Sequence, residues 1–321
     1  MTEVAHSLEV LTIGRVSVDL YGSQVGADWN NTSSFQKAVG GTATNVAVAA
    51  VRLGHAAAVF TKVGDDPFGT YVRTRLEEFG VDVSYVGVSE GLPTPLALAA
   101  LDPPEDPQLI FYRCPKAPDL TLTRDDIDLG VVVSVPVLWL TGSSLGEEPA
   151  RSTILSLTRE RGRRSHTVVD LDYRATLWPS ESEARSVIPE LLEYATVVLG
   201  NRTECEIAVG TRDPNDIADR LLDRGVGTIM VKMGGDGVLV ATAESRISVP
   251  PLPVPVLCGL GAGDGFGGAV IHGLLRGWSE LYTGQFANAA GALVASRLLC
   301  SDAMGTEEEI LSLMEDARAT I

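Results

Sequence analysis

Short apolar runs, many of them β-branched, recur along the chain: "LEVLTIG", "AAVFTKVG", "VLWLTG", "HTVVDLD", "ATVVLGN", "GTIMVKMG" and "GVLVAT". Between several of them apolar residues return every three or four positions, as in "NVAVAAVRLG", "FGTYVRTRLEEFG", "ARSTILSLTRERG" and "PNDIADRLLDRG". Runs that are apolar throughout predict strands covered on both faces, and the longer period predicts amphipathic helices. Their alternation predicts an α/β fold of three layers, with helices on both sides of a mostly parallel central sheet. Ligands of such sheets sit beyond the carboxyl ends of the strands.

Two stretches break the rhythm. Residues 20–38 and 93–115 are polar and turn-rich, yet "PLALAALD" and "QLIFYR" alternate with the period of two that marks strands. We expect them to form a small β-lid over the ligand edge of a single domain covering 1–321. The apolar alternation in the lid permits a homodimer through it. No repeat, low-complexity tract or interdomain linker interrupts the chain.

Composition narrows the function. The 321 residues are 45% hydrophobic and 21% charged, as in ordinary globular proteins. The net charge is -17 and no block of Lys or Arg occurs, which argues against a nucleic-acid partner. "FANAAGALVASRLLC" is too short for a membrane span and Arg297 interrupts it, so no membrane partner is expected. "MTEVAHSLEV" lacks a basic region followed by an apolar run, so no signal peptide is expected. Cys114, Cys205, Cys258 and Cys300 are scattered, which suits a reducing cytoplasm. None of the four histidines has a partner at metal-ligand spacing, so no zinc is assigned.

The chemistry concentrates in "LCGLGAGDGFGGAVIHGLLRG", residues 257–277. Gly263, Gly265 and Gly268 match a dinucleotide-binding spacing. They would fall inside the helix, after "VPPLPVPVL" rather than after a strand and tight turn. No Gly-Lys pair followed by Ser or Thr makes a Walker loop. An aspartate capping a helix would explain Asp264 but not Gly261 and Gly263. Glycines entering a helix expose several N–H donors, a hole for negative charge such as phosphoryl transfer requires. That reaction also needs a carboxylate to take the proton of the attacking hydroxyl. Asp264 supplies one, and the helix N-terminus favours its ionised form.

"GAGDGF" resembles the second signature of the PfkB, or ribokinase-like, carbohydrate kinases, and "GGTATNVAVAAVRLG" resembles their first. Asn201-Arg202-Thr203-Glu204 matches their Asn-x-x-Glu motif for phosphate and Mg²⁺. The landmarks come in the family's order and span nearly the whole chain. The resemblance implies a ribokinase-like fold and an ATP-dependent sugar kinase, with Asp264 as base and Gly261, Ala262 and Gly263 as anion hole. It implies ATP contacts from Asn201, Lys232, Gly234 and Gly237 of "VKMGGDG", and from Asn288 near the adenine. Ala289, Gly291 and Ala292 beside it suit helix packing. Glu204 would order water around Mg²⁺.

For the sugar, Gly40 and Gly41 would permit close backbone approach. Asn45 suits a hydroxylated ligand or a helix-start cap. Asp19, at the end of a strand, corresponds to a sugar-binding aspartate or is a turn residue. Arg113 and Arg174 suit a substrate carboxylate or are solvated surface groups. "GRVSVDLYG", "FYRCPKAPD", "DLDYRATLW" and "RLLCSDAMGT" resemble a branch acting on keto-deoxy sugar acids, 5-dehydro-2-deoxy-D-gluconate of myo-inositol catabolism foremost. 2-Keto-3-deoxygluconate and neutral sugars such as fructose or ribose are the alternatives. A sugar-binding regulator without catalysis fits the intact base and anion hole less well, and a dehydrogenase, disfavoured by the context of the glycines, is the third choice. Gly22, Ala175 and Gly305 stand where the branch usually has proline. Cys258-Gly259-Leu260 replaces the family's frequent Asp-Thr-Thr, so a monovalent-cation site for potassium is not expected.

Overall fold

The computed structural model describes residues 7–164 and 166–319. The segment Met1–His6, on which the signal-peptide reading partly rests, lies outside them. In chain order the strands are β1 Val10–Ile13, β2 Ser17–Gly22, β3 Phe35–Gly40, β4 Ala57–Gly64, β5 Val86–Ser89, β6 Leu96–Ala100 and β7 Gln108–Tyr112. They continue as β8 Val137–Thr141, β9 Thr167–Asp170, β10 Val197–Asn201, β11 Thr228–Lys232, β12 Val238–Ala241 and β13 Arg246–Val249. The helices are α1 Thr42–Arg52, α2 Pro67–Phe79, α3 Leu129–Ser134, α4 Ala150–Arg161, α5 Glu181–Leu192 and α6 Arg202–Val209. Then follow α7 Pro214–Asp223, α8 Ala262–Arg276, α9 Glu280–Ala295, α10 Cys300–Ala303 and α11 Glu307–Ala319.

Nine strands form the central sheet in the order β13-β12-β11-β10-β9-β8-β1-β4-β5. Only the β11–β12 and β12–β13 pairs are antiparallel. All five residues of β8 are buried, as a strand covered on both faces requires. The chain runs outward from β1 through β4 to β5, then returns to β8 on the other side of β1. That reversal between β1 and β8 opens a crevice at the carboxyl ends of the strands.

Helices α4 to α7 pack one face, with Ile154, Leu157, Ile188, Leu191, Ile217 and Leu221 in the core. Residues of α1, α8, α9 and α11 cover the other through Val46, Phe266, Val270, Phe286 and Ile310. Local sequence ends these helices: Asp66 caps α2 before Pro67, and Gly80 leaves it in the left-handed conformation. Asp213 and Pro214 repeat the same start at α7.

The glycines of α8 are steric. A Cβ at Gly265 would meet Val294 at 2.7 Å, one at Gly267 would meet Trp139 at 2.5 Å, and one at Gly268 would meet Ala49 at 2.3 Å. So α8 seats its backbone directly on α9, on the sheet and on α1.

A separate four-stranded sheet, β3-β2-β6-β7, carries the segments expected to form the lid, with strands beginning at Ser17 and ending at Tyr112. In β7, Leu109 and Phe111 are half-buried, while Ile110 and Tyr112 are exposed on the opposite side. No helix of the described residues is long and apolar enough to cross a membrane.

Candidate active site

The carboxyl ends of neighbouring strands deliver charged residues to one edge. Arg15 follows β1, Asp170 ends β9 with Asp172 just beyond it, Glu204 follows β10, and Lys232 ends β11. In register, Asn201 lies opposite Lys232 and Leu199 opposite Asp170. Gly261, at φ +82°, caps α8, so Ala262, Gly263 and Asp264 form the first turn. The N–H groups of this first turn lack intrahelical partners; that of Ala262 makes a long bond to the Gly259 carbonyl at 3.4 Å, and those of Gly263 and Asp264 are open to a ligand.

Three hollows run together along this edge. An inner cavity is lined by Asp19, Asn45, Arg174, Gly261 and Asp264 with Arg15. A polar cleft of about 150 Å³ shares Arg174, Gly261 and Asp264 with it and adds Asp170, Asp172, Glu204 and Lys232. A more apolar cleft of about 530 Å³ shares Lys232 and Gly263 with the polar one. It continues past Gly234, Gly237, Ala262 and Asn288. Asp264 thus stands at the first junction and Gly263 at the second.

The amide of Asn45 donates from Nδ2 to Asp264 Oδ2 at 2.7 Å. Asn45 is therefore neither a helix cap, a place taken by Gly41, nor solely a sugar contact; it holds the aspartate. Burial raises the Asp264 pKa to about 7, opposed by the Asn45 hydrogen bond and reinforced by Asp172. The helix N-terminus therefore does not keep this carboxyl at an ordinary acidic value, because desolvation outweighs it. A group poised near neutrality is suited to accept and release a proton.

Lys232 Nζ lies 3.6 Å from Asp170 Oδ1. Burial works against its charge, but Asp170, Glu204 and Asp264 outweigh it and raise its pKa. The ammonium also sits 3.4 Å from where a Cβ on Gly263 would be, so it borders the free N–H groups of α8.

Asn201 and Glu204 form a capping box. Asn201 Oδ1 accepts from the N–H groups of Thr203 and Glu204, both at 2.9 Å, and Glu204 Oε2 accepts from the Asn201 N–H at 2.7 Å. Asn201 thus commits its Oδ1 to the helix start, and it is not among the residues lining the three hollows. Glu204 does face the polar cleft.

The two conspicuous glycines have internal uses. A Cβ on Gly40 would fall 2.0 Å from the Asp19 carboxyl, and one on Gly41 would fall 2.4 Å from the Arg15 carbonyl. Their bareness lets protein, rather than sugar, approach; only Gly41 lines the cavity. Asp19 accepts from Ser17 Oγ at 2.6 Å and from the Tyr21 hydroxyl at 3.0 Å. Burial raises its pKa.

Arg113 corrects the expectation most. Its Nη2 donates to Asp119 Oδ1 at 2.5 Å, and Asp119 also accepts from the Val16 N–H. It lines a neighbouring hollow behind β7 rather than the inner cavity. Arg174 faces the cavity with its side chain 47% exposed, next to Asp172. Gly291 and Ala292 line the apolar cleft as well as packing α9.

Arg15, Asp170 and Asp172 escaped the sequence reading, although an arginine straight after "LTIG" and acids closing "TVVDLD" are charges at strand ends. Cys300 was also missed: its Sγ lies 2.6 Å from the Tyr21 hydroxyl in the cavity wall.

The profile of the pfkB family carbohydrate kinases matches residues 7–307. A 5-dehydro-2-deoxygluconokinase of Photobacterium profundum is 33% identical over 329 residues, covering 98% of each chain. A ribokinase II of E. coli, solved with ATP and Mg²⁺, superposes with a TM-score of 0.86 at 24% identity, over 97% of this chain and 100% of its own. A sugar kinase of Pyrococcus horikoshii, solved with ATP, gives 0.79 at 25% identity over 96% and 99%. With this match across nearly the whole chain, and with three joined hollows at the carboxyl edge of the sheet, this protein belongs to the pfkB family of carbohydrate kinases.

Proposed function

We propose that the protein transfers a phosphoryl group from MgATP to the terminal hydroxyl of a keto-deoxy sugar acid, 5-dehydro-2-deoxy-D-gluconate. The observation that carries this reading is the position of Asp264 at the junction of the inner cavity with the polar cleft. A sugar in the cavity presents its hydroxyl to that carboxylate, with the phosphates of a nucleotide in the polar cleft and its base in the apolar one. The hydroxyl proton passes to Asp264 as the sugar oxygen bonds to phosphorus and the leaving oxygen departs with the nucleotide. The N–H groups of Ala262, Gly263 and Asp264, with Lys232, meet the negative charge on the transferred oxygens. Asn45 keeps the carboxylate aimed.

The donor set of the polar cleft fits Mg²⁺. It offers carboxylate oxygens of Glu204 and Asp170 and neither sulfur nor imidazole. Among the described residues no cluster of three or more metal-ligating side chains exists. Mg²⁺ binds through one or two carboxylates, water and phosphate oxygens, and it would neutralise phosphate charge here. Gly234, Gly237 and Asn288 line the space for the adenosine, Asn288 with its amide on the Pro250 carbonyl at 2.7 Å.

The acid is supported by charge. In a chain of net charge -17, the inner cavity presents Arg15 and Arg174 alongside Asp19 and Asp264. Relatives named for the same sugar acid match 96–98% of this chain. The four described cysteines are all free, which fits action in the cytoplasm. An ATP-consumption screen over keto acids and neutral sugars tests the reading. Preference for the acid is expected, and preference for fructose would overturn the substrate while leaving a kinase.

A further inference from the structure

We propose that Arg15, set beside Arg174 by Asp172, is the specificity-determining residue that holds the carboxylate of the sugar acid. The proposal rests on the sugar-acid reading above and assigns a residue to it.

Arg15 is 6% exposed and lines the inner cavity. Three hydrogen bonds fix two of its guanidinium nitrogens. Nε donates to Ser143 Oγ at 2.7 Å, and Nη2 donates to Thr42 Oγ1 at 2.8 Å and to Asp172 Oδ2 at 2.7 Å. Nη1 has no partner among the described residues. On a side chain this enclosed, lining a cavity, a guanidinium nitrogen without a protein acceptor is free to take one from a ligand.

Asp172 links the two arginines. Its Oδ2 takes the bond from Arg15, and its Oδ1 lies 3.4 Å from Arg174 Nε. Thr42 and Ser143 also donate to Oδ2. Burial alone would raise the Asp172 pKa, but Arg15 and then Arg174 hold it well below the ordinary range. Its backbone stands at φ +29°, a region that a residue with a side chain adopts only under constraint. Within the Arg15–Asp172–Arg174 group two cations and one anion leave one positive charge, in a cavity that Asp19 and Asp264 also line. A carboxylate brings that charge to zero, whereas a neutral sugar does not. Arg113 lacks this surplus, because Asp119 already neutralises it.

The position also suits discrimination along the sugar. The field of Arg15 reaches both Asp19 and Asp264, where it opposes in part the rise in pKa that burial imposes on each. Asp19 accepts hydrogen bonds from hydroxyls and Asp264 would take the reacting proton, so Arg15 supplies the donor that neither can.

The test compares the acid with its uncharged primary amide. Wild type, Arg15→Gln and Arg15→Lys are assayed for KM and kcat on both compounds, with ATP affinity and the melting curve as checks on the fold. Arg15→Lys keeps a buried cation against Asp172, so it preserves the fold if the glutamine variant does not. Wild type should favour the acid over the amide by roughly 10–100-fold in kcat/KM, from charge-assisted hydrogen bonds. Arg15→Gln should erase most of that preference through KM. Arg15→Lys should lose part of it, and ATP affinity should stay within about twofold. If the Arg15 variants penalise acid and amide equally, the assignment of Arg15 is overturned and the sugar-acid reading stands. If wild type does not discriminate between the two compounds, both fall.

Discussion

Replacing Asp264 by asparagine should make the ligand-free protein harder to melt at alkaline pH while disabling it. Burial carries this carboxyl from an ordinary 3.8 to about 7, so ionising it in the folded state costs free energy that the unfolded chain does not spend. The sign follows from that direction. A raised folded pKa contributes stability at low pH that is lost as pH rises from about 4 through about 7 and is constant above. At about 1.36 kcal/mol per unit, the loss is roughly 1.5 kcal/mol at pH 5 and about 4 kcal/mol at pH 8. Asp264 still meets cavity water, so these are upper values. Asparagine carries no charge at either pH and can still accept from Asn45. Its stability advantage should therefore widen by up to about 2.5 kcal/mol between pH 5 and pH 8. For a chain of 321 residues this is roughly 4 °C in melting temperature. Asp170 titrates in both proteins and largely cancels. Calorimetric melts of the two proteins at the two pH values measure the difference directly. Turnover of the variant should fall by about 10²–10⁴-fold with ATP affinity kept. An advantage equal at pH 5 and pH 8, or a variant less stable at pH 8, would refute the buried-carboxyl argument; near-normal turnover would refute the base.

Three further outcomes are expected. Rates in potassium and in a large organic cation at equal ionic strength should agree, because Cys258, fully buried beside Tyr21, supplies no hard oxygen where the family often has aspartate; strong potassium activation would contradict this. Gly263→Val should raise KM for ATP and lower kcat at least tenfold, since its side chain would intrude between Lys232 and the first turn of α8; unchanged kinetics would move the anion hole elsewhere. Arg174→Met should weaken kcat/KM for the acid by roughly 10–100-fold while Arg113→Met mainly lowers the melting temperature by stranding buried Asp119; equal effects on the acid would restore Arg113 to the site.

The sheet was legible because its strands are covered on both faces, so each reads as an unbroken apolar run. The short edge strands β5 and β13 read less clearly: one side of each is exposed, and their patterns merge with loops. Asp264 was legible because the glycines crowding its helix start are unusual for a helix. Arg113 misled because a lone arginine on a lid reads alike whether it faces a ligand or a buried partner; Asp119, six residues on, decides it. Arg15 and Asp172 were hidden for a related reason. They lie 157 positions apart, and only the closing of β1 beside β8 and β9 brings them to 2.7 Å. Likewise the pattern Asn-x-x-Glu is equally a capping box and a ligand motif, and the fold uses it as the first while leaving Glu204 turned to the cleft.

The way α8 is seated has a mechanical consequence. With three glycines pressed against α9, Trp139 and Ala49, the helix has no slack in which to slide or roll. Asp264 and the first turn of α8 are therefore held against the same central sheet whose strand ends carry Arg15, Asp170 and Lys232. Asp19, Leu109 and Phe111 ride on the four-stranded sheet instead. Any swing of that sheet changes the distance from Asp19 to Asp264 but not the distance from Lys232 to Asp264. On the proposed function, the seating of α8 fixes the half of the site assigned to the nucleotide, and only the half assigned to the sugar depends on where the four-stranded sheet stands.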